Sequence, residues 1–150
     1  MSAIRFSKSD GSWEATLPIV QKNVERQLAF GWASVVVDKL GRVVVDHDDD
    51  IIPVSELEKA AYAYVANKRG SSDMHQRMGI GTLVESVVLT QEKRNAMGIP
   101  PGEVGWWVGF HVEDREVWEK VRTGEYSELS IGGTARREQL REVSNAVSAA

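Results

Sequence analysis

A chain of 150 residues, 42% hydrophobic and 27% charged, suffices for one globular domain with a sizeable core and falls short of two ordinary ones. A formal net charge of −4, with no basic stripe beyond Arg136-Arg137, disfavours sequence-independent nucleic-acid binding, and no apolar run is long enough to span a bilayer. Cysteine is absent, which removes disulfides, thiol nucleophiles and thiolate metal sites together, and the polar first ten residues do not argue for export.

Residues 1–27 read as a loose N-terminal arm holding at most one strand, with Trp13, Leu17, Ile19 and Val20 as its candidate anchors. Residues 28–147 are expected to form the folded domain, ahead of a small-residue tail at 148–150. Phe30-Gly31-Trp32-Ala33-Ser34-Val35-Val36-Val37 and Arg42-Val43-Val44-Val45 are β-branched runs joined by Asp38-Lys39-Leu40-Gly41. Aspartate opening that turn and glycine closing it suit a type I hairpin. Asp46-His47-Asp48-Asp49-Asp50 offers carboxylates and an imidazole, but lacks the turn glycine and spaced ligands of an oxygen-ligand cation loop. We expect a solvated loop there and no metal. A metal-dependent hydrolase built on Asp46, His47 and Asp50 is a rival reading.

Ser55-Glu56-Leu57-Glu58 has the form of a capping box, and Leu57, Ala60, Ala61, Tyr64 and Val65 continue as a helical stripe that Gly70 would stop. Asp73-Met74-His75-Gln76-Arg77-Met78-Gly79 then reads as a loop ahead of a strand from Thr82 to Leu89. Thr90 suits the cap of a short helical turn through Met97, and Gly98-Ile99-Pro100-Pro101-Gly102 a rigid loop. The next strand sends Trp106, Val108 and Phe110 to one face and Trp107, Gly109 and His111 to the other. Its histidine has the neighbours of a packed, hydrogen-bonded residue. Asp114 caps a helix through Val117, Trp118 and Val121, which Gly124 ends.

Glu128-Leu129-Ser130-Ile131-Gly132-Gly133 follows, a short strand whose parity separates Ser130 from Leu129 and Ile131, with two glycines just beyond. Ser130 from this strand and His75 from its loop supply a hydroxyl and the side chain best suited to accept its proton near neutral pH, the minimum of a nucleophilic hydrolase. A strand-end serine and a solvated loop histidine would look the same in residue types alone. Leu129-Ser130-Ile131 is not a Gly-x-Ser-x-Gly elbow, because Glu128 stands where the first glycine belongs, so the α/β-hydrolase reading fails. Leu140-Arg141-Glu142-Val143-Ser144 alternates and is a candidate hairpin partner that would carry Glu142 toward the serine.

The ordered set Phe30-Gly31-Trp32-Ala33-Ser34-Val35, Gly41-Arg42-Val43-Val44-Val45-Asp46, Asp50-Ile51-Ile52-Pro53, Leu57-Glu58-Lys59-Ala60-Ala61-Tyr62, Met74-His75-Gln76-Arg77-Met78-Gly79, Gly105-Trp106-Trp107-Val108-Gly109-Phe110 and Leu129-Ser130-Ile131-Gly132-Gly133 resembles the XkdF-type serine proteases of tailed phages and prophages. That family looks like a branch of the prohead, or capsid-maturation, proteases, which share their fold with herpesvirus assemblins. The resemblance implies an α+β fold, a mainly antiparallel barrel-like sheet flanked by two to three helices. It also implies that Ser130 is the nucleophile and His75 its general base. Assemblins use a second histidine as third member and prohead proteases a carboxylate, so Glu142 is the first choice here and His111 the second. Backbone amides near Ile131, Gly132 and Gly133, or Arg136, would hold the oxyanion. The implied function is endopeptidase cleavage of scaffold, capsid-protein arms and the protease's own ends, without a cofactor, inside the procapsid in the host cytoplasm. Scaffold and major capsid proteins, with a homodimer as candidate assembly, are the implied partners; nucleic acid and membrane are not. A non-catalytic assembly or scaffold-binding module with the same fold is the alternative.

Overall fold

The computed structural model describes residues 4–6, 12–45, 51–68 and 81–134. Along them run β1 (Ile4–Phe6), β2 (Ser12–Pro18), β3 (Gln21–Asn23), β4 (Leu28–Val37), α1 (Val54–Lys68), β5 (Thr82–Leu89), α2 (Gln91–Met97), β6 (Val104–His111), α3 (Arg115–Thr123) and β7 (Glu128–Thr134). The fold is α+β. Strands β1-β2-β7 make one antiparallel sheet and β3-β4-β6-β5 another.

The alternation expected along β6 holds: Trp106, Val108 and Phe110 are fully buried, while Trp107 and His111 on the opposite parity are half-exposed. The buried row meets Ala29, Ala33 and Val36 of β4, Val88 of β5, and Leu57, Ala61 and Tyr64 of α1 in one core. Burial of such large side chains stabilises by about 1.5–3 kcal/mol each, so this shared core is the dominant favourable contribution.

The segment expected to be a loose arm contributes to that core. Trp13, Ala15 and Leu17 on one parity of β2 are buried, at 4%, 1% and 0% exposure. Trp13 packs against Tyr64 and Trp106 with ring centroids 5.8 and 5.6 Å away, and those two rings are 5.5 Å apart. This aromatic triangle ties β2 to α1 and β6. Of the four candidate anchors, Trp13 and Leu17 are deep, Ile19 packs at the core's margin, and Val20 is exposed.

No closed barrel is present among the described residues, so the barrel-like sheet is corrected to two sheets around one core. The reason lies in the ribbon from β2 to β3, which changes partners midway. Ile19 N donates to Ser127 O at 2.9 Å beside β7, and Val20 N donates to Phe30 O at 2.8 Å on β4. One ladder therefore ends where the next begins. At the crossover β4 approaches so closely that a Cβ on Gly31 would lie 2.1 Å from Pro18 O, which demands glycine. Proline ends the β2 ladder, having no N–H to offer.

Two local expectations also change. The turn after β4 forms as expected, with Gly41 at φ 79° and Asp38 Oδ1 accepting from the amides of Leu40 and Arg42, both at 2.9 Å. Its second arm pairs through the Val37–Val43 bridge, with Asp38 N donating to Arg42 O and Val44 N donating to Val36 O, both at 2.9 Å, and Val43 and Val45 stay exposed. A β-branched run without an apolar face to cover gains too little from pairing to continue the strand. Helix α1 starts before Ser55, so Ser55 is inside it rather than its cap. The Pro53 carbonyl instead accepts from the amides of Glu56 and Leu57 at 3.0 Å each.

Candidate active site

β7 is delivered by a sequence of stops. Asp114 caps α3, its side chain accepting from Val117 N at 3.0 Å, and Gly124 ends the helix in the left-handed conformation at φ 85°. Tyr126 N then donates to Lys120 O at 2.8 Å, and Ser127 O accepts from Ile19 N. The Tyr126 hydroxyl beside the Lys120 ammonium holds that group's pKa above its usual value. The strand that follows is anchored by Leu129 and Ile131, both buried, and runs antiparallel to β2.

Register sets Ser130 opposite Thr16, Ile131 opposite Ala15, Gly132 opposite Glu14 and Gly133 opposite Trp13. Ser130 thus occupies a backbone position fixed on both sides by core residues, with β2 as the neighbouring strand. β7 has one strand partner among the described residues, and alternate amides of such an edge strand point away from that partner. Along 131–133 the backbone carries no Cβ at Gly132 or Gly133 to obstruct approach to it.

His75, Glu142 and Arg136 lie outside the described residues, as does the acidic run at 46–50. The exit of the His75 segment is nevertheless defined. Gly81 enters β5 at φ 108° so close to the end of β6 that a Cβ there would lie 1.9 Å from His111 O. His75 is six positions upstream, within roughly 20 Å of contour from that anchor.

His111, the runner-up third member, is described. It ends β6 in the four-stranded sheet, in register with Leu28 and Thr82. Its side chain is 43% exposed, with Nδ1 3.8 Å from Glu113 Oε1, and that carboxylate also accepts from the Thr82 hydroxyl. The imidazole is therefore half-exposed beside a carboxylate rather than packed. Its charged neighbour is Glu113.

Sequence reasoning gave little weight to β2, the strand on which the serine strand is built. The signal was present: Trp13-Glu14-Ala15-Thr16-Leu17 alternates strictly between apolar and polar residues.

A family model described as "Putative phage serine protease XkdF" matches residues 16–139, a span that includes β7 and all three histidines. The chain belongs to this family. Among curated relatives, the "Phage-like element PBSX protein XkdF" of Bacillus subtilis (strain 168) is 32% identical over 93 residues, which is 61% of this chain and 33% of that protein. The "Uncharacterized protein YqbD" of the same organism is 32% identical over 100 residues, 65% of this chain and 30% of that protein. The chain thus spans about a third of the length of the curated relatives it matches. No solved structure matches it significantly. At the level of class, the family description supports a phage serine protease.

Proposed function

We propose that this chain is a serine endopeptidase of phage prohead maturation, acting through an acyl-enzyme. The observation that carries the reading is the serine strand itself: Ser130 between two buried anchors on a strand edge, inside a span matched by a serine-protease family. Ser130 Oγ attacks the peptide carbonyl while His75 accepts its proton. The tetrahedral oxyanion takes hydrogen bonds from amides near Ile131, Gly132 and Gly133. Collapse expels the amine, which receives the proton back from the imidazolium, and water then releases the acyl group by the same route. Glu142 orients the imidazole and stabilises its charge, with His111 as the alternative. No cofactor enters any step.

The substrates in this reading are scaffold protein, the arms of the major capsid protein and the protease's own ends, cut within the procapsid in the host cytoplasm. Co-expression with a scaffold substrate tests it, with products read by mass spectrometry. Ser130→Ala is expected to lower turnover on the order of 10⁶-fold. Equal cleavage by wild type and Ser130→Ala would instead assign the fold to a non-catalytic assembly or scaffold-binding module.

A further inference from the structure

The polar parity of the β2–β7 pair carries charge of one sign. β2 and β7 together carry two carboxylates, Glu14 and Glu128, and no lysine or arginine. Both carboxylates are exposed. They share the row of register positions that alternates with the buried Ala15, Leu17, Leu129 and Ile131, in the order Glu14–Gly132, Thr16–Ser130, Pro18–Glu128. Glu128 is two positions along the strand from Ser130, about 7 Å, and Glu14 is its diagonal neighbour across the pair, about 7–8 Å. One carboxylate stands at each end of the serine position. Glu125, also exposed, extends the negative charge into the approach from α3. In register across the sheet, Glu14 stands opposite Arg5 of β1 and Glu128 opposite the uncharged Pro18.

We infer that Glu128, with Glu14 in a lesser role, selects peptides carrying Lys or Arg within about two residues of the scissile bond. The inference rests on Ser130 being the nucleophile. Both positions are within two residues of Ser130 along or across the strand pair, so side chains flanking a bond cleaved there come within reach of them. A cationic side chain there meets an exposed carboxylate, and an acidic one meets a like charge. Pairing at an exposed site is weak, so the selection is graded: roughly two- to fivefold in kcat/KM per carboxylate, and less at high salt.

The test digests a synthetic peptide library randomised over eight positions with wild-type chain, Ser130→Ala, Glu128→Gln, Glu14→Gln, Glu128→Lys and the remote control Glu92→Gln on α2. Products are sequenced by mass spectrometry, and folding of each variant is checked by thermal melting. Wild type and Glu92→Gln should yield Ser130-dependent products enriched in Lys and Arg beside the cut. Glu128→Gln should weaken that enrichment more than Glu14→Gln does, Glu128→Lys should turn it toward Asp and Glu, and 0.5 M salt should flatten it. Ser130-dependent cleavage with no charge bias, or with a bias that Glu128→Lys leaves unchanged, overturns the inference and leaves the protease standing. Absence of cleavage, or cleavage that survives Ser130→Ala, removes the protease reading and this inference with it.

Discussion

The two sheets are built on different terms. The four-stranded sheet rests on β4 and β6, long strands whose own side chains fill the core: Ala29, Ala33 and Val36 from one, Trp106, Val108 and Phe110 from the other. In the three-stranded sheet, β7 brings Leu129 and Ile131 but also two glycines, which weaken a strand and supply no packing. Its stability is borrowed from β2, whose Trp13, Ala15 and Leu17 lie across the ladder. The candidate nucleophile is thus on the strand with less intrinsic strength, and its position is set by a segment more than a hundred residues away in sequence. A strand that must present a hydroxyl and bare backbone has few positions left for packing, so another strand supplies the bulk.

The largest test of this contrast is Trp13→Ala. It empties one corner of the aromatic triangle and should cost about 3–5 kcal/mol in urea unfolding. Trp32→Ala, on the exposed parity of the other sheet beside Trp107, should cost distinctly less. Equal losses would mean that β2 is no special support.

Next in size is Gly31→Ala, which forces backbone apart at the crossover between sheets and should cost about 1–3 kcal/mol by denaturant titration. A neutral result would show that the ribbon can shift without consequence.

Asp114→Ala removes the cap of the helix that leads into β7 and should cost about 1 kcal/mol, as should Thr90→Ala at α2, whose hydroxyl accepts from Lys93 N at 3.1 Å. The difference expected is functional: at equal loss of melting temperature, the Asp114 variant should lower Ser130-dependent cleavage and the Thr90 variant should not.

The smallest effect concerns pH. The Arg42 amide, its guanidinium and the Leu40 amide hold the Asp38 carboxyl below its usual pKa. A depressed folded-state pKa stabilises the turn above the unfolded value near pH 4, and that contribution fades as pH falls through the folded value. Melting temperatures of wild type and Asp38→Asn should therefore differ at pH 6 and converge as pH falls progressively below the unfolded value, a gap confined to the four-stranded sheet's turn.

Much of the fold was legible because the relevant signals are local. Thr90, Gly98, Asp114 and Gly124 stop and start helices where their chemistry directs, and the alternation around Trp106 and Ile131 gave the buried face of β6 and β7 correctly. What escaped depends on partners. Trp13-Glu14-Ala15-Thr16-Leu17 carries a strand pattern, yet its central role follows from β7 lying beside it, which no local rule reveals. The second hairpin arm has ideal strand composition at Val43-Val44-Val45 yet forms an isolated bridge and a hydrogen bond from Val44 N to Val36 O rather than a strand, with Val43 and Val45 exposed. Ser55 and Glu58 have the spacing of a capping box, but the Pro53 carbonyl begins the helix first. At the candidate site, parity and glycines marked Ser130, whereas His75 and Glu142 lie outside the described residues. His111 looked like a packed residue from its strand neighbours, but the strand ends with it, and the side chain lies half-exposed beside Glu113.

The aromatic triangle also equips the molecule with a built-in optical gauge. Trp13 and Trp106 sit away from water, in van der Waals range of each other and of Tyr64, so their emission should be blue-shifted only while β2 is docked on the rest. The half-exposed Trp32 and Trp107 should quench first with iodide. Docking of the strand that backs the serine can therefore be followed in real time without a label during refolding.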